Sequence, residues 1–160
     1  MTVNRTFNSS DPRKPGFLTI AVVAIFAIAA IFLTRPVTSL QSLSPVSGLM
    51  TLKAAAQTAM PYEVAIANPQ PTLIEFYADW CTTCQAMAPT LQSVHEQFGD
   101  RTNFVMLNID DPQWQPQIKQ FGVSGVPHLV LLNGDQTSAD AFIGKVPKSV
   151  LAQRLTDWLG

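Results

Sequence analysis

Cysteine is almost missing from this chain: 160 residues hold two, Cys81 and Cys84. A structural zinc site needs four ligands, commonly two such pairs, and the sequence adds only His95 and His128, so no metal site is expected. Covalent haem attachment requires C-x-x-C-H, and Gln85 stands in the histidine's place. Charge is scarce as well. Only 13% of residues are charged, and the ten basic residues form no dense cluster on a chain of formal net charge -1, which excludes a nucleic-acid surface. No internal repeat is present.

What the chain has in excess is apolar side chains, 47% of the total, and the N-terminal part explains why. Residues 17–33, FLTIAVVAIFAIAAIFL, carry no charge and one polar side chain, Thr19. At about 1.5 Å per residue such a helix covers roughly 25 Å, near the lower limit for crossing the hydrocarbon core of a bilayer. Arg5, Arg13 and Lys14 precede the run, whereas only Arg35 follows closely, so the basic excess predicts a cytoplasmic N-terminus and a domain on the other side. A cleaved signal peptide would show a small-x-small site soon after the run; TRPVTSL follows instead. No cysteine follows closely behind it either, which excludes a lipoprotein anchor. The expected organisation is a cytoplasmic tail over 1–16, an anchor in lipid over 17–33, a Ser/Thr/Pro-rich linker over 34–47 and a folded domain over 48–160.

Within that domain GLMTLKAAAQTAM predicts a helix ended by Pro61, and TLIEFYA a short buried strand. A helix is expected from Thr82 to Phe98, with Cys84, Met87, Ala88, Leu91, Val94 and Phe98 on one stripe and a kink at Pro89. NFVMLNI and HLVLL read as buried strands with a short helix at PQWQPQIKQFG between them. NGD turns into a fourth strand, AFIG, and a last helix follows Pro147. Strands alternating with helices, then a hairpin and a helix, predict an α/β fold: a central mixed sheet covered on both faces.

Cys81 and Cys84 fall at the junction from the first strand to the long helix. A thiol at a helix N-terminus is favoured as thiolate by unpaired N–H groups and the dipole, and it can attack a foreign disulfide. Cys84, one turn on and core-facing, would resolve the mixed disulfide. A purely structural disulfide across four residues would restrain little of the unfolded chain. A pair of soft thiolates also suits Cu(I), so a copper-handling protein is a rival reading. A redox-inert docking module is another. Glu75 lies mid-strand between Ile74 and Phe76, where burial would raise its pKa, unless its long side chain reaches solvent at the sheet edge.

FYADWCTTCQAMAP together with FGVSGVPHLVLLNGD resembles the thioredoxin family over roughly residues 60–160. With the N-terminal apolar run, PYEVAIANPQPTLIEFYADWC and NFVMLNIDD resemble the membrane-anchored thioredoxin-like proteins of cyanobacteria and chloroplasts. The resemblance implies a redox-active Cys81–Cys84 disulfide and a cis-proline at Pro127. It also implies that Val126 pairs with an extended substrate segment, and that Trp80 shapes the docking surface. His128, next to Pro127, would tune the thiolate or touch the substrate, unless it merely starts the strand. Glu75 stands where the family usually has a buried aspartate behind the second cysteine, which implies that it exchanges a proton with Cys84.

No dissociable cofactor is implied. The expected partners are disulfide-bearing substrate proteins, apocytochromes among them, and a polytopic membrane thiol carrier as electron donor. The domain would face a thylakoid lumen or periplasm. Three departures leave the redox potential open: Thr82 and Thr83 replace Gly-Pro, Met106 replaces a lysine, and Glu75 replaces Asp.

Overall fold

The computed structural model describes residues 45–160. The apolar run at 17–33, the tail before it and most of the linker lie outside the described residues, and among the described residues no helix is long and apolar enough to cross a membrane. The first helix, α1, spans Pro45–Thr58 and so begins inside the stretch read as linker. Proline is tolerated in a first helical turn because its missing N–H would have no partner there. Alanines at 54, 55 and 56 favour the helix, and Pro61 prevents its continuation.

A one-turn helix, α2 (Tyr62–Ile66), precedes strand β1 (Thr72–Tyr77), which leads into α3 (Thr82–Phe98) and β2 (Asn103–Asn108). A short 3-10 turn over Pro112–Trp114 runs into α4 (Gln115–Gln120). The chain ends with β3 (His128–Leu132), β4 (Ser138–Ile143) and α5 (Lys148–Leu159). The sheet order is β2-β1-β3-β4, with β1 parallel to β2 and antiparallel to β3, and β4 antiparallel to β3. The mixed sheet expected from the sequence is therefore observed.

All six residues of β1 are buried, as befits a strand flanked on both sides and covered on both faces. Leu73 of β1 and Leu129 and Leu131 of β3 pack on Met87, Leu91, Val94 and Phe98 of α3 and on Leu151 and Leu155 of α5. The other face of the sheet carries Ile74, Phe76, Val105, Leu107 and Val130 against Tyr62 and Ala65 of α2, with Ile118 of α4 at the margin. β4 closes the sheet as a largely exposed edge, tied to α5 by Arg154, whose Nη2 lies 2.6 Å from Asp140 Oδ2.

Helix α3 buries the stripe read from the sequence, Cys84 through Phe98, and runs on through Pro89. Proline at 89 supplies no N–H to the carbonyl of Gln85 one turn earlier. Against that carbonyl lies Gly48 of α1, which is buried; a Cβ at this position would stand 2.6 Å from Gln85 O. Glycine thus lets the two helices meet backbone to backbone. A salt bridge of 3.2 Å between Lys53 and Asp79 also links α1 to the turn before Cys81.

Candidate dithiol site

Cys81 is the N-cap residue of α3, with extended backbone (φ -74°, ψ 102°), and its Sγ accepts a hydrogen bond of 3.0 Å from the N–H of Cys84. One of the orphan donors of the helix start is thus aimed at the sulfur, which is the arrangement that stabilises negative charge there. The two sulfurs are joined as a disulfide with Cα atoms 5.2 Å apart. Cys84 is fully sealed at 0% exposure, whereas Cys81 retains 5%. The difference is small in area, and it leaves Cys81 as the sulfur with some surface.

The loop before β3 closes over the pair. Cys81 Sγ lies 3.6 Å from the carbonyl oxygen of Val126, to which the reduced thiol can donate. The Val126–Pro127 bond is cis. Pro127's carbonyl accepts from Gly144 N at 2.8 Å, which anchors the turn, while the main chain of Val126 makes no main-chain hydrogen bond among the described residues. An N–H and a C=O are therefore presented beside Cys81. Trp80 is 64% exposed, and its Nε1 donates to Asp110 Oδ2 at 2.9 Å. That bond fixes a large apolar plate on the surface next to Cys81. Sequence reasoning missed Asp110, which stands thirty positions from Trp80 with no local cue to its partner.

Glu75 is buried, and it shares a register position with Met106 on β2 and with Leu129 on β3. Burial alone pushes its pKa up to about 8, with no cation nearby to lower it. Its Oε1 has no hydrogen-bond partner. Met106, its neighbour across the strand pair, packs against the cluster formed by Leu52, Tyr77, Cys81, Cys84 and Ala88. The carboxyl thus sits one strand position from the packing that encloses the dithiol. The Tyr77 hydroxyl, two residues on, is also shifted up by burial and then by the charges of Asp79 and Glu75.

His128 starts β3 on the opposite side of the sheet from Glu75. It pairs in register with Phe76, and the two rings are 6.1 Å apart edge to face. It is buried at 3% exposure, neither ring nitrogen has a partner, and burial lowers its pKa, so the ring is neutral. The structure thus brings Cys81, Cys84, Trp80, Val126 and Pro127 together at one edge, keeps Glu75 buried in β1 beside Met106, and directs His128 into the other core layer. His95 is exposed and stacks on Phe104 at 4.4 Å.

The sequence profile of Thioredoxin matches residues 53–157, which is most of the chain. The chain belongs to the thioredoxin family. Among relatives, it is 41% identical over 148 residues to the thiol:disulfide interchange protein TxlA of Synechococcus elongatus, covering 92% of this chain and 73% of that one. It is 43% identical over 145 residues to the TxlA homolog of Synechocystis, covering 91% and 76%. Similarity extends to the chloroplastic thioredoxin-like protein HCF164 of Oryza sativa, 44% identical over 101 residues, 63% of this chain and 38% of that one. Among solved structures, a mutant thioredoxin from Halobacterium salinarum superposes with a TM-score of 0.54 at 25% identity, covering 64% of this chain and 88% of that one. The dithiol site of this thioredoxin-family chain occupies the matched region in full.

Proposed function

We propose that the protein is a membrane-anchored thiol-disulfide oxidoreductase that reduces disulfides of substrate proteins on the non-cytoplasmic side of its membrane. The observation that carries the reading is the asymmetry of the pair: Cys81 caps a helix and touches the surface, while Cys84 is sealed behind it. The similarity to proteins named for thiol:disulfide interchange supports the same chemistry.

The steps balance within the two dithiols. In the reduced protein the Cys81 thiolate attacks one sulfur of a substrate disulfide, forms a mixed disulfide and expels the other substrate sulfur, which takes up a proton. A substrate segment lying across Trp80 is held in register by the N–H and C=O of Val126 beside the turn at Pro127. Cys84 then gives up its proton, Glu75 being the acceptor behind it, and attacks Cys81 Sγ. The Cys81–Cys84 disulfide forms, the substrate leaves as a dithiol, and two electrons have passed to it. The pair is re-reduced by a membrane thiol carrier; no dissociable cofactor takes part. Residues 17–33 hold the chain in lipid, with 1–16 in the cytoplasm and the domain in a thylakoid lumen or periplasm, where apocytochrome cysteines are a fitting substrate class.

Two measurements on the full chain test this reading. In detergent it should accelerate reduction of the insulin disulfides by dithiothreitol, with Cys81→Ser abolishing the effect. In sealed vesicles whose non-cytoplasmic face is turned outward, an added protease should cleave beyond Arg35 and spare an N-terminal tag. Inactivity in the first assay overturns the chemistry, and protection of the domain in the second overturns the location.

A further inference from the structure

Trp80 and Cys81 leave β1 on a four-residue turn, closed by the N–H of Cys81, which donates to Ala78 O at 3.1 Å. Asp79 and Trp80 are its central residues. The closing bond of such a turn does not engage the middle peptide, here the one joining Asp79 to Trp80, and the orientation of that peptide sets the direction in which the second central side chain departs. Among the described residues the Asp79 carbonyl has no main-chain partner. A side chain takes it instead. Gln85 Nε2 donates to Asp79 O at 2.7 Å, and the N–H of the same residue donates to Cys81 O at 3.0 Å. One residue of α3 therefore holds the chain on both sides of Trp80.

The main chain from which that amide extends is fixed in turn, because Gln85 O is the carbonyl against which Gly48 of α1 packs. The carboxylate of Asp79 has a second hold, its ion pair with Lys53, but those side chains are 54% and 45% exposed, and solvent leaves such a pair little strength. The part-buried amide bond is the firmer tie. At the other end, the indole is held by Asp110 through Nε1, and the N–H of Asp110 donates to Asn108 Oδ1 at 2.9 Å. Trp80 is thus fixed at its root from α3 and at its rim from the loop after β2. The Gln85 amide bonds to neither sulfur.

We propose that Gln85 is a positioning residue for protein substrates: by holding the Asp79–Trp80 peptide it keeps the indole in one place beside Cys81, so that an extended segment meets plate and sulfur together. The inference rests on the reading of Trp80 as a substrate platform given above. A plate ordered before the encounter spares the complex the entropy of ordering it. Gln85 acts through Trp80 and not on the sulfur, so its loss is felt by a substrate long enough to reach the plate and not by a disulfide too small to do so.

The test compares second-order rate constants of the pre-reduced full chain in detergent for insulin and for bis(2-hydroxyethyl) disulfide, read by timed alkylation of the remaining thiols. Gln85→Met removes the donor at similar length, and Gln85→Glu places a carboxylate with no N–H in the same space. In both, the insulin rate should fall about fivefold relative to the small-disulfide rate, the size of one net hydrogen bond. In a Trp80→Ala background the same two substitutions should leave that ratio where Trp80→Ala alone puts it, since the group they position is gone. The proposal is overturned if the two disulfides slow equally, if the ratio does not move, or if the effects of Gln85 and Trp80 on the ratio multiply as independent sites do. Those three outcomes leave the proposed function standing. An unmodified chain that reduces neither disulfide overturns that function, and this inference with it.

Discussion

Glu75 concentrates the physical tension of the molecule in one side chain. Its pKa is raised by burial from an ordinary carboxylate value to about 8, so the folded protein holds the proton more tightly than the unfolded chain does. Between roughly pH 4.5 and 8 the unfolded chain binds fewer protons at this position, and stability therefore falls as pH rises, by at most about 1.4 kcal/mol per unit. Urea denaturation of the unchanged protein at pH 5.5 and 7.5 should show a loss of about 2–3 kcal/mol, and Glu75→Gln should remove most of that difference. Equal pH slopes in the two proteins would mean that the carboxyl is solvated. The same group has a kinetic role in the proposed cycle. A base with a pKa near the working pH is well matched to taking a thiol proton. In Glu75→Gln the resolution of the mixed disulfide should slow by about tenfold near pH 7, with little change in the first attack by Cys81. The deficit should shrink at alkaline pH, where Cys84 ionises unaided; stopped-flow rates unchanged across this range would reduce Glu75 to a strand residue.

At the scale of elements, the contact between α1 and α3 is set by an unusual pair, Gly48 and the carbonyl of Gln85 that Pro89 cannot serve. Gly48→Ala would place a methyl group 2.6 Å from that oxygen, so the helices must separate. The cost expected for overpacking at such a site is about 1–3 kcal/mol, measurable as a lowered urea midpoint, whereas Ala54→Gly on the exposed side of α1 should cost about 1 kcal/mol through helix propensity alone. A Gly48→Ala protein as stable as the parent would contradict the close packing. The sequence disclosed α3 almost completely, because its six apolar positions recur at helical spacing and all six are buried. β1 and β3 were legible as short apolar runs for the same kind of reason. The start of α1 at Pro45 was not, since proline and serine there look equally like a tether. Nor was α2, whose five residues carry too little periodicity to detect. Of the site, the cysteine pair and the V-P turn announced themselves by spacing and by resemblance. Asp110 did not, because its bond to Trp80 joins positions that only the fold brings together.

The whole molecule, as proposed, joins a lipid-held N-terminal segment to a domain on the non-cytoplasmic side of the membrane. The proposed function depends on the two sulfurs dividing the work, Cys81 meeting the substrate and Cys84 completing the exchange. That division rests on Cys81 lying at the helix N-cap with a little surface and Cys84 having none. The decisive experiment is covalent trapping in membranes containing the full chain. With Cys84→Ser, the mixed disulfide formed at Cys81 has no internal thiol to resolve it, so substrate proteins should accumulate as adducts that dithiothreitol releases. With Cys81→Ser, adducts should be nearly absent, because the remaining sulfur is sealed in the core. Equal adduct yields from the two variants, or a larger yield from Cys81→Ser, would show that the sulfurs do not divide the work in this way.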